Sequence, residues 1–493
     1  MKKNTKILIG SAAGIAVLGA AVLVLVLTQP ADETQASSSS DEELTLLSYK
    51  ADDISTLTIK NENGEFTINR LGSEKWGIDS IPEEYANSTA YSSSMSGAGS
   101  IEAKLLAEKD AQDLAKYGFD NPTATFSMTF KDDKYEPISC SVGINNEGES
   151  AWYFKTDENN DVYLVTNSQL SFAMADVLDY VQLSSLTDAY DSENDTVDRV
   201  RIERADLEND LVLDKVEQDS DKEFATTYAT YKMSSHNNIL VDDEKCQDIV
   251  YGLFGLSATK AVAVNPDEQT KKDCGFDSPT CTASMVNGEE VTKLYIGAPV
   301  IEKSTDEETG AVTETVTGYY GMIAGKDVIY EFAADSLPWL DIQPENLLYR
   351  LFLSPYIYYV DNVTVVDTDK NEYKFSIIGD SSSSEIKLGD TVIDRSSFTT
   401  FYQYMLSCYA DKIYVEDLTD ENKFICSFTY NYRDENDGVN GKDVVELYSS
   451  ESDRTCIVVV NGDVRYKTYQ IYGTRFLDNL QALLNGGEII SDF

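Results

Sequence analysis

The chain has 493 residues, 42% of them hydrophobic and 11% aromatic. That is enough apolar side chain for folded cores, which excludes a wholly disordered chain, and the length calls for several domains. With 39 basic against 86 acidic residues the formal net charge is −47, so the surface repels anionic lipid and no nucleic acid is expected as a partner.

At the N-terminus, Lys2, Lys3 and Lys6 precede an apolar stretch from Ile7 to Leu27 in which Ser11 is the only polar side chain. A helix of about 20 apolar residues crosses a bilayer, and a positive flank marks the cytoplasmic side. A cleaved signal peptide would have a shorter apolar core with a small-x-small site close behind. Here Thr28-Gln29-Pro30 follows directly, and no cysteine stands where a lipoprotein would need one. The pattern therefore predicts a cytoplasmic basic tail (1–6) and an uncleaved transmembrane signal anchor (7–28). A flexible spacer rich in serine and acid follows (29–46), containing Ser37-Ser38-Ser39-Ser40-Asp41-Glu42-Glu43. The rest of the chain is predicted to lie outside the cell, held at the membrane by this single span.

Beyond residue 47 the sequence repeats itself. Lys116-Tyr117-Gly118-Phe119-Asp120-Asn121-Pro122 returns as Asp273-Cys274-Gly275-Phe276-Asp277-Ser278-Pro279. A short apolar run precedes each copy, Leu105-Leu106-Ala107 and Ala261-Val262-Ala263, and reads as a strand. A charged stretch then reads as a short helix, Asp110 to Lys116 and Asp267 to Asp273. The glycine suits a left-handed helix cap and the proline a turn. Strand-like segments follow, then a second glycine (Gly143, Gly297), an aromatic cluster (Trp152-Tyr153-Phe154, Tyr319-Tyr320) and a return strand (161–165, 327–330). Phe119 and Phe276 are expected in the core, and Asp120 and Asp277 are expected to accept from backbone amides.

Each repeat opens on alternating polar and apolar residues, at 55–59, 198–202 and 362–365, which is the strand period. A helix precedes the central strand. Asp242 is the expected N-cap of one carrying Cys246, Ile249, Val250, Leu253 and Phe254 on one side. Ser397 is the expected cap of another carrying Phe398, Phe401, Tyr402, Met405 and Leu406. A Ser-rich stretch, Thr89 to Ser96, is the counterpart in the first repeat. Three modules result, 47–184, 185–345 and 346–493, the third a degenerate copy without the Gly-Phe-Asp-x-Pro corner. The predicted fold class is α+β: tandem modules of antiparallel sheet with short helices, preceded by one N-terminal transmembrane helix.

The corner residues Gly118, Phe119, Asp120, Pro122, Gly275, Phe276, Asp277 and Pro279, with the later glycine and the aromatic hairpin, resemble the family called domain of unknown function 4340. The resemblance covers roughly residues 50 to 345. It implies kinship of fold and carries no catalytic residue across. Members of that family are membrane-anchored extracytoplasmic proteins of bacteria, some beside ABC-type transport systems, which implies an accessory role here.

No catalytic constellation stands out. His236, the only histidine, lies in a polar run that reads as an exposed loop. The seven cysteines (Cys140, Cys246, Cys274, Cys281, Cys408, Cys426, Cys456) lack C-x-x-C spacing and do not recur at equivalent repeat positions, so most read as small buried hydrophobes. Cys426 and Cys456 could pair across neighbouring strands. Asp157, Asn159 and Asp161 have the spacing of an EF-hand start, but Val162 stands where glycine is required, which makes a hairpin turn the better reading. Asp434 to Gly438 fails in the same way. No cofactor or metal is expected. Three functional readings remain open at this point. The preferred one is a membrane-anchored binding or scaffolding protein of a bacterial envelope with an envelope-protein or transporter partner. The others are a carboxylate-based envelope glycan hydrolase and a nonspecific acidic cation-binding surface protein.

Overall fold

The computed structural model describes residues 44–216, 229–305, 309–433 and 441–491. The anchor predicted at 7–28 lies outside the described residues, and among the described residues no helix is long and apolar enough to cross a membrane.

The first module holds β1 (Leu44–Ser48), β2 (Ile54–Asn61), β3 (Gly64–Gly72), β4 (Lys75–Gly77), α1 (Ser88–Gly99), β5 (Ser100–Ala103), β6 (Leu105–Glu108), β7 (Ala124–Phe130), β8 (Ile138–Asn146), β9 (Ala151–Thr156) and β10 (Val162–Thr166). The second holds β11 (Val197–Glu203), β12 (Leu211–Lys215), β13 (Tyr231–Met233), β14 (Ile239–Leu240), α2 (Asp243–Tyr251), β15 (Lys260–Val264), α3 (Glu268–Asp273), β16 (Cys281–Asn287), β17 (Glu290–Thr305), β18 (Val312–Ile323) and β19 (Val328–Ala333). The third holds β20 (Val360–Val366), β21 (Glu372–Ile378), β22 (Glu385–Leu388), β23 (Thr391–Ile393), α4 (Arg395–Leu406), β24 (Lys412–Ile413), β25 (Phe424–Tyr432), β26 (Lys442–Ser449), β27 (Thr455–Val460), β28 (Asp463–Tyr469) and α5 (Gln470–Asn485).

The three large sheets share one topology. Their orders are β4-β3-β2-β7-β8-β9-β10-β6, β14-β13-β12-β11-β16-β17-β18-β19-β15 and β23-β22-β21-β20-β25-β26-β27-β28-β24. In each, a short strand after the helix (β6, β15, β24) closes the far edge against the last hairpin strand; in module one β5 comes between, pairing with β1. The third module is therefore a full repeat in topology despite its missing corner.

The alternation read from sequence is what buries each sheet. Leu57 and Ile59, Val200 and Ile202, and Val363 and Val365 are all fully buried at matching places on the opening strands. Each such side chain contributes about 1.5–3 kcal/mol over its exposed state. The helices cover the same face with Tyr91, Met95 and Ala98, with Cys246, Ile249 and Val250, and with Phe398, Phe401, Tyr402 and Met405. One continuous apolar core runs from Leu47 to Leu483 through all three modules.

Several local expectations need correction. Asp242 caps α2 as expected, its carboxylate accepting from the Glu244 amide. The cap of α4, however, is Asp394 and not Ser397. Its carboxylate accepts from both the amide and the hydroxyl of Ser397, and a charged acceptor at the helix N-terminus outcompetes a hydroxyl. The stretch Asp110 to Lys116 forms only a 3-10 turn at Ala115–Tyr117. Asp110 has φ of 48° and so cannot begin a helix, whereas Asp267 caps α3 through Thr270. β1 begins at Leu44, inside the stretch read as spacer, because it pairs with β5.

Two elements went unforeseen. α5 buries Tyr472, Phe476, Leu480 and Leu483 at helical spacing and ends at Gly486 in the left-handed conformation. The β17–β18 hairpin runs far past its sheet, and from Ile301 to Thr305 and from Val312 to Thr317 it is exposed on both faces.

Candidate interaction surface

The conserved geometry of modules one and two is a pair of glycines pressed together. Gly118 (φ 86°) and Gly275 (φ 84°) sit in the left-handed region just after a helical turn. The amide of Gly118 donates to Ala115 O and that of Phe119 to Leu114 O; Gly275 and Phe276 repeat this with Lys272 O and Lys271 O. These are the paired 5→2 and 6→1 bonds of a Schellman cap. The second glycine of each pair lets β8 or β17 approach. A Cβ on Gly143 would lie 2.0 Å from Tyr117 O, and one on Gly297 would lie 2.1 Å from Cys274 O. Thr123 and Thr280 close the corner, each hydroxyl donating to the second glycine's carbonyl at 2.8 and 2.7 Å.

Phe119 and Phe276 are half-buried rather than core residues, each with its ring edge against the second glycine. Asp120 and Asp277 are exposed. Asp277 makes only a loose ion pair with Lys272 at 3.9 Å, and the amide donations at the corner go to backbone carbonyls instead. The corner is thus a fold device, built by backbone, with Pro122 and Pro279 leading into the next strand.

The cysteines, the histidine and the Asp157–Asp161 turn are each engaged in structure. All seven cysteines are buried free thiols, so Cys426 and Cys456 are not paired. Burial pushes the thiols of Cys246, Cys281 and Cys456 up to about 12, which disfavours the nucleophilic thiolate. His236 lies in the turn between β13 and β14, half-buried rather than exposed, with Nδ1 2.8 Å from the Ser235 hydroxyl, and burial lowers its pKa. Asp157, Asn159 and Asp161 form a hairpin turn, Asn159 accepting from the Asp161 amide and Asp161 from the Asp110 amide. Asp434 to Gly438 lies outside the described residues. A cleft of about 410 Å³ on module one is walled by Tyr49, Tyr135, Glu136, Asp157 and Glu158, and another of about 430 Å³ lies between α1 and Ser168–Phe172. Both are open to solvent.

What repeats beyond the sheets is the joint between them. After β10, a 3-10 turn at Val177–Tyr180 leads the chain back to its own helix: Tyr180 O accepts from the Asn87 amide, and Gln182 donates to Tyr85 O. After β19, a turn at Pro344–Leu347 does the same, with Leu347 O accepting from Asp242 and Tyr349 donating to Leu240 O. Three residues past each turn the chain then grips the next module. Leu183 O accepts from Ala258, just ahead of β15, and Arg350 O accepts from Ala410, just ahead of β24. The turn itself lies on that next edge strand, Val177–Tyr180 on β15 and Pro344–Leu347 on β24. Further contacts fasten the first joint: Lys326 Nζ donates to Leu186 O and the Asp327 amide to the Tyr85 hydroxyl.

Residues 85–230 match the model of the family described as domain of unknown function (DUF4340). The match takes in just under a third of the chain. It includes the first corner and the first joint, and it ends before the second corner. Its limits run from the entrance of α1 to the entrance of β13, about the length of one repeat, with the connector inside. No curated protein and no solved structure matches the chain.

Proposed function

We propose that the chain is a membrane-anchored, extracytoplasmic binding or scaffolding protein of a bacterial envelope, serving as an accessory to an ABC-type transport system. The observation that carries this reading is the repeated joint. Two connectors of the same design weld three modules through one continuous core, so surfaces on different modules keep fixed spacing, as a scaffold requires. The exposed β17–β18 arm adds an outlying contact surface on the middle module. The apolar stretch at 7–28 with its lysine flank, and the likeness to the family, support placement outside the cell. Crosslinking of the full-length chain in its own membrane, followed by affinity purification, tests the reading. Transporter subunits among the crosslinked products are the expected result; recovery of the chain alone would overturn it.

A further inference from the structure

Module one is open and polar at a place where module two is packed with larger, mostly apolar side chains. Counted from the helix N-caps Asn87 and Asp242, the residues Ala90, Ser94 and Gly97 of module one stand where Lys245, Ile249 and Gly252 stand in module two. Counted back from Tyr180 and Leu347, whose carbonyls accept from those two N-cap amides, Phe172 and Ala175 stand where Trp339 and Ile342 stand. The match holds in space. A Cβ on Gly97 would meet the Phe172 ring at 3.2 Å, and one on Gly252 would meet the Trp339 ring at 2.9 Å. Lys245, Ile249, Trp339 and Ile342 are thus replaced by the smaller Ala90, Ser94, Phe172 and Ala175. All of these smaller residues line the cleft of about 430 Å³ between α1 and the segment 168–180, a size within the roughly 300–1,000 Å³ of small-molecule sites.

The floor of the cleft has changed in kind as well as in size. Ser94 and Tyr180, 7% and 1% exposed, join hydroxyls at 2.8 Å, whereas the matching Ile249 and Leu347 are both buried and apolar. Two hydroxyls that share one bond have one hydrogen left over, and neither has a further acceptor among the described residues. Module two fills the same place without burying a polar group, which costs free energy when it is unpaired, so packing does not call for the spare donor. Two more polar groups line the cleft. The Gln169 amide accepts from the Glu102 amide through Oε1, and its Nε2 has no partner among the described residues. The Asp179 carboxylate accepts from the Asp176 amide through one oxygen. Among the described residues no lysine or arginine lines the cleft, so an anion would meet no counter-charge.

We propose that this cleft binds a neutral sugar or sugar-like polyol. Ligand hydroxyls accept from the floor donor and from Gln169 Nε2 and donate to Asp179, while a C–H face lies on the Phe172 ring. An amine would use Asp179 alone, and an apolar ligand would leave every one of these groups unpaired. The site needs no partner protein and stands independently of the scaffold reading.

Calorimetric titration of the full-length chain in lipid nanodiscs tests this, with glucose, galactose, N-acetylglucosamine and the disaccharides of each as probes and lysine methyl ester as the amine control. Binding of at least one sugar at millimolar concentration or tighter is the expected result. A monosaccharide that suffices identifies a free solute as the ligand, and a requirement for the disaccharide identifies the end of a glycan. Tyr180→Phe keeps the ring and removes a floor hydroxyl; Asp179→Asn changes an exposed side chain and should leave the melting temperature unmoved. Each should weaken the sugar about tenfold, the scale of one lost hydrogen bond. Binding of no sugar, binding of lysine methyl ester in its place, or a sugar affinity that both variants leave unchanged would overturn the proposal.

Discussion

Modules two and three solve the same corner with different chemistry. In module two, the Ala298 amide donates to Cys274 O at 2.8 Å, and Gly297 before it clears the carbonyl. In module three, the Ser449 amide makes the equivalent bond to Lys423 O at 2.8 Å, so Tyr448 stands where the glycine would be. A tyrosine cannot share that space with a carbonyl. The turn instead becomes a side-chain bracket: Asn422 Nδ2 donates to Ser449 O at 2.9 Å, the Lys423 amide donates to the Ser449 hydroxyl at 2.8 Å, and Asn422 Oδ1 accepts from the Thr419 amide. The topology needs the turn and the hairpin to be tied together. It does not need glycine to tie them, and a motif can vanish from a repeat while its task persists.

The glycine solution should be the more brittle one. Gly143 and Gly297 have ordinary backbone angles, so alanine is refused there only by the backbone carbonyl it would strike. Gly143→Ala or Gly297→Ala should cost more than about 3 kcal/mol, the scale of forced backbone shifts in a packed site, read by denaturant unfolding. A loss under about 1 kcal/mol would show that the close approach is dispensable. Next in size is the phenylalanine contrast. Phe375 in module three is fully buried, and Phe375→Ala should cost about 3–5 kcal/mol. Phe276 is half-buried, and Phe276→Ala should cost less than half as much; equal losses would return the corner to the core. On the module-three side, Ser449→Ala removes one acceptor from a solvated turn and should cost about 1 kcal/mol.

The sequence carried most of this architecture where the signal was local and repeated. Alternation at 55–59, 198–202 and 362–365 marked the opening strands, and the two glycines marked the corner, because period and φ are set by the residues themselves. Burial of Phe119 was not legible, since exposure depends on how near β8 passes. The third repeat was seen only dimly, because its corner is held by side-chain bonds that leave no motif. α5 did carry a signal in Tyr472, Phe476, Leu480 and Leu483, but it has no counterpart in the other modules and so falls outside the repeat. The joints were invisible. Their hydrogen bonds run from carbonyls of Leu183 and Arg350, and backbone groups have no sequence code.

The bonds that tie either corner run between backbone, amide and hydroxyl groups, so acid should leave the contrast between modules intact and act elsewhere. The place to look is Arg204, whose side chain is 3% exposed and whose guanidinium donates to both Asp206 oxygens at 2.7 and 2.8 Å and to Trp339 O at 2.7 Å. That pairing lowers the Asp206 carboxyl from 3.8 to about 2. A carboxyl with a depressed pKa in the fold stabilises it above its unfolded value, and the contribution is lost as pH falls from about 4 through 2. Asp206 is 58% exposed at its side chain, and screening there keeps the effect below about 1 kcal/mol. Asp206→Asn should therefore be less stable than the parent chain at pH 6, with the gap closing between pH 4 and pH 2. A gap that stays constant to pH 2 would mean the Asp206 charge contributes nothing to the fold, and that Trp339 O alone suffices to satisfy the buried guanidinium.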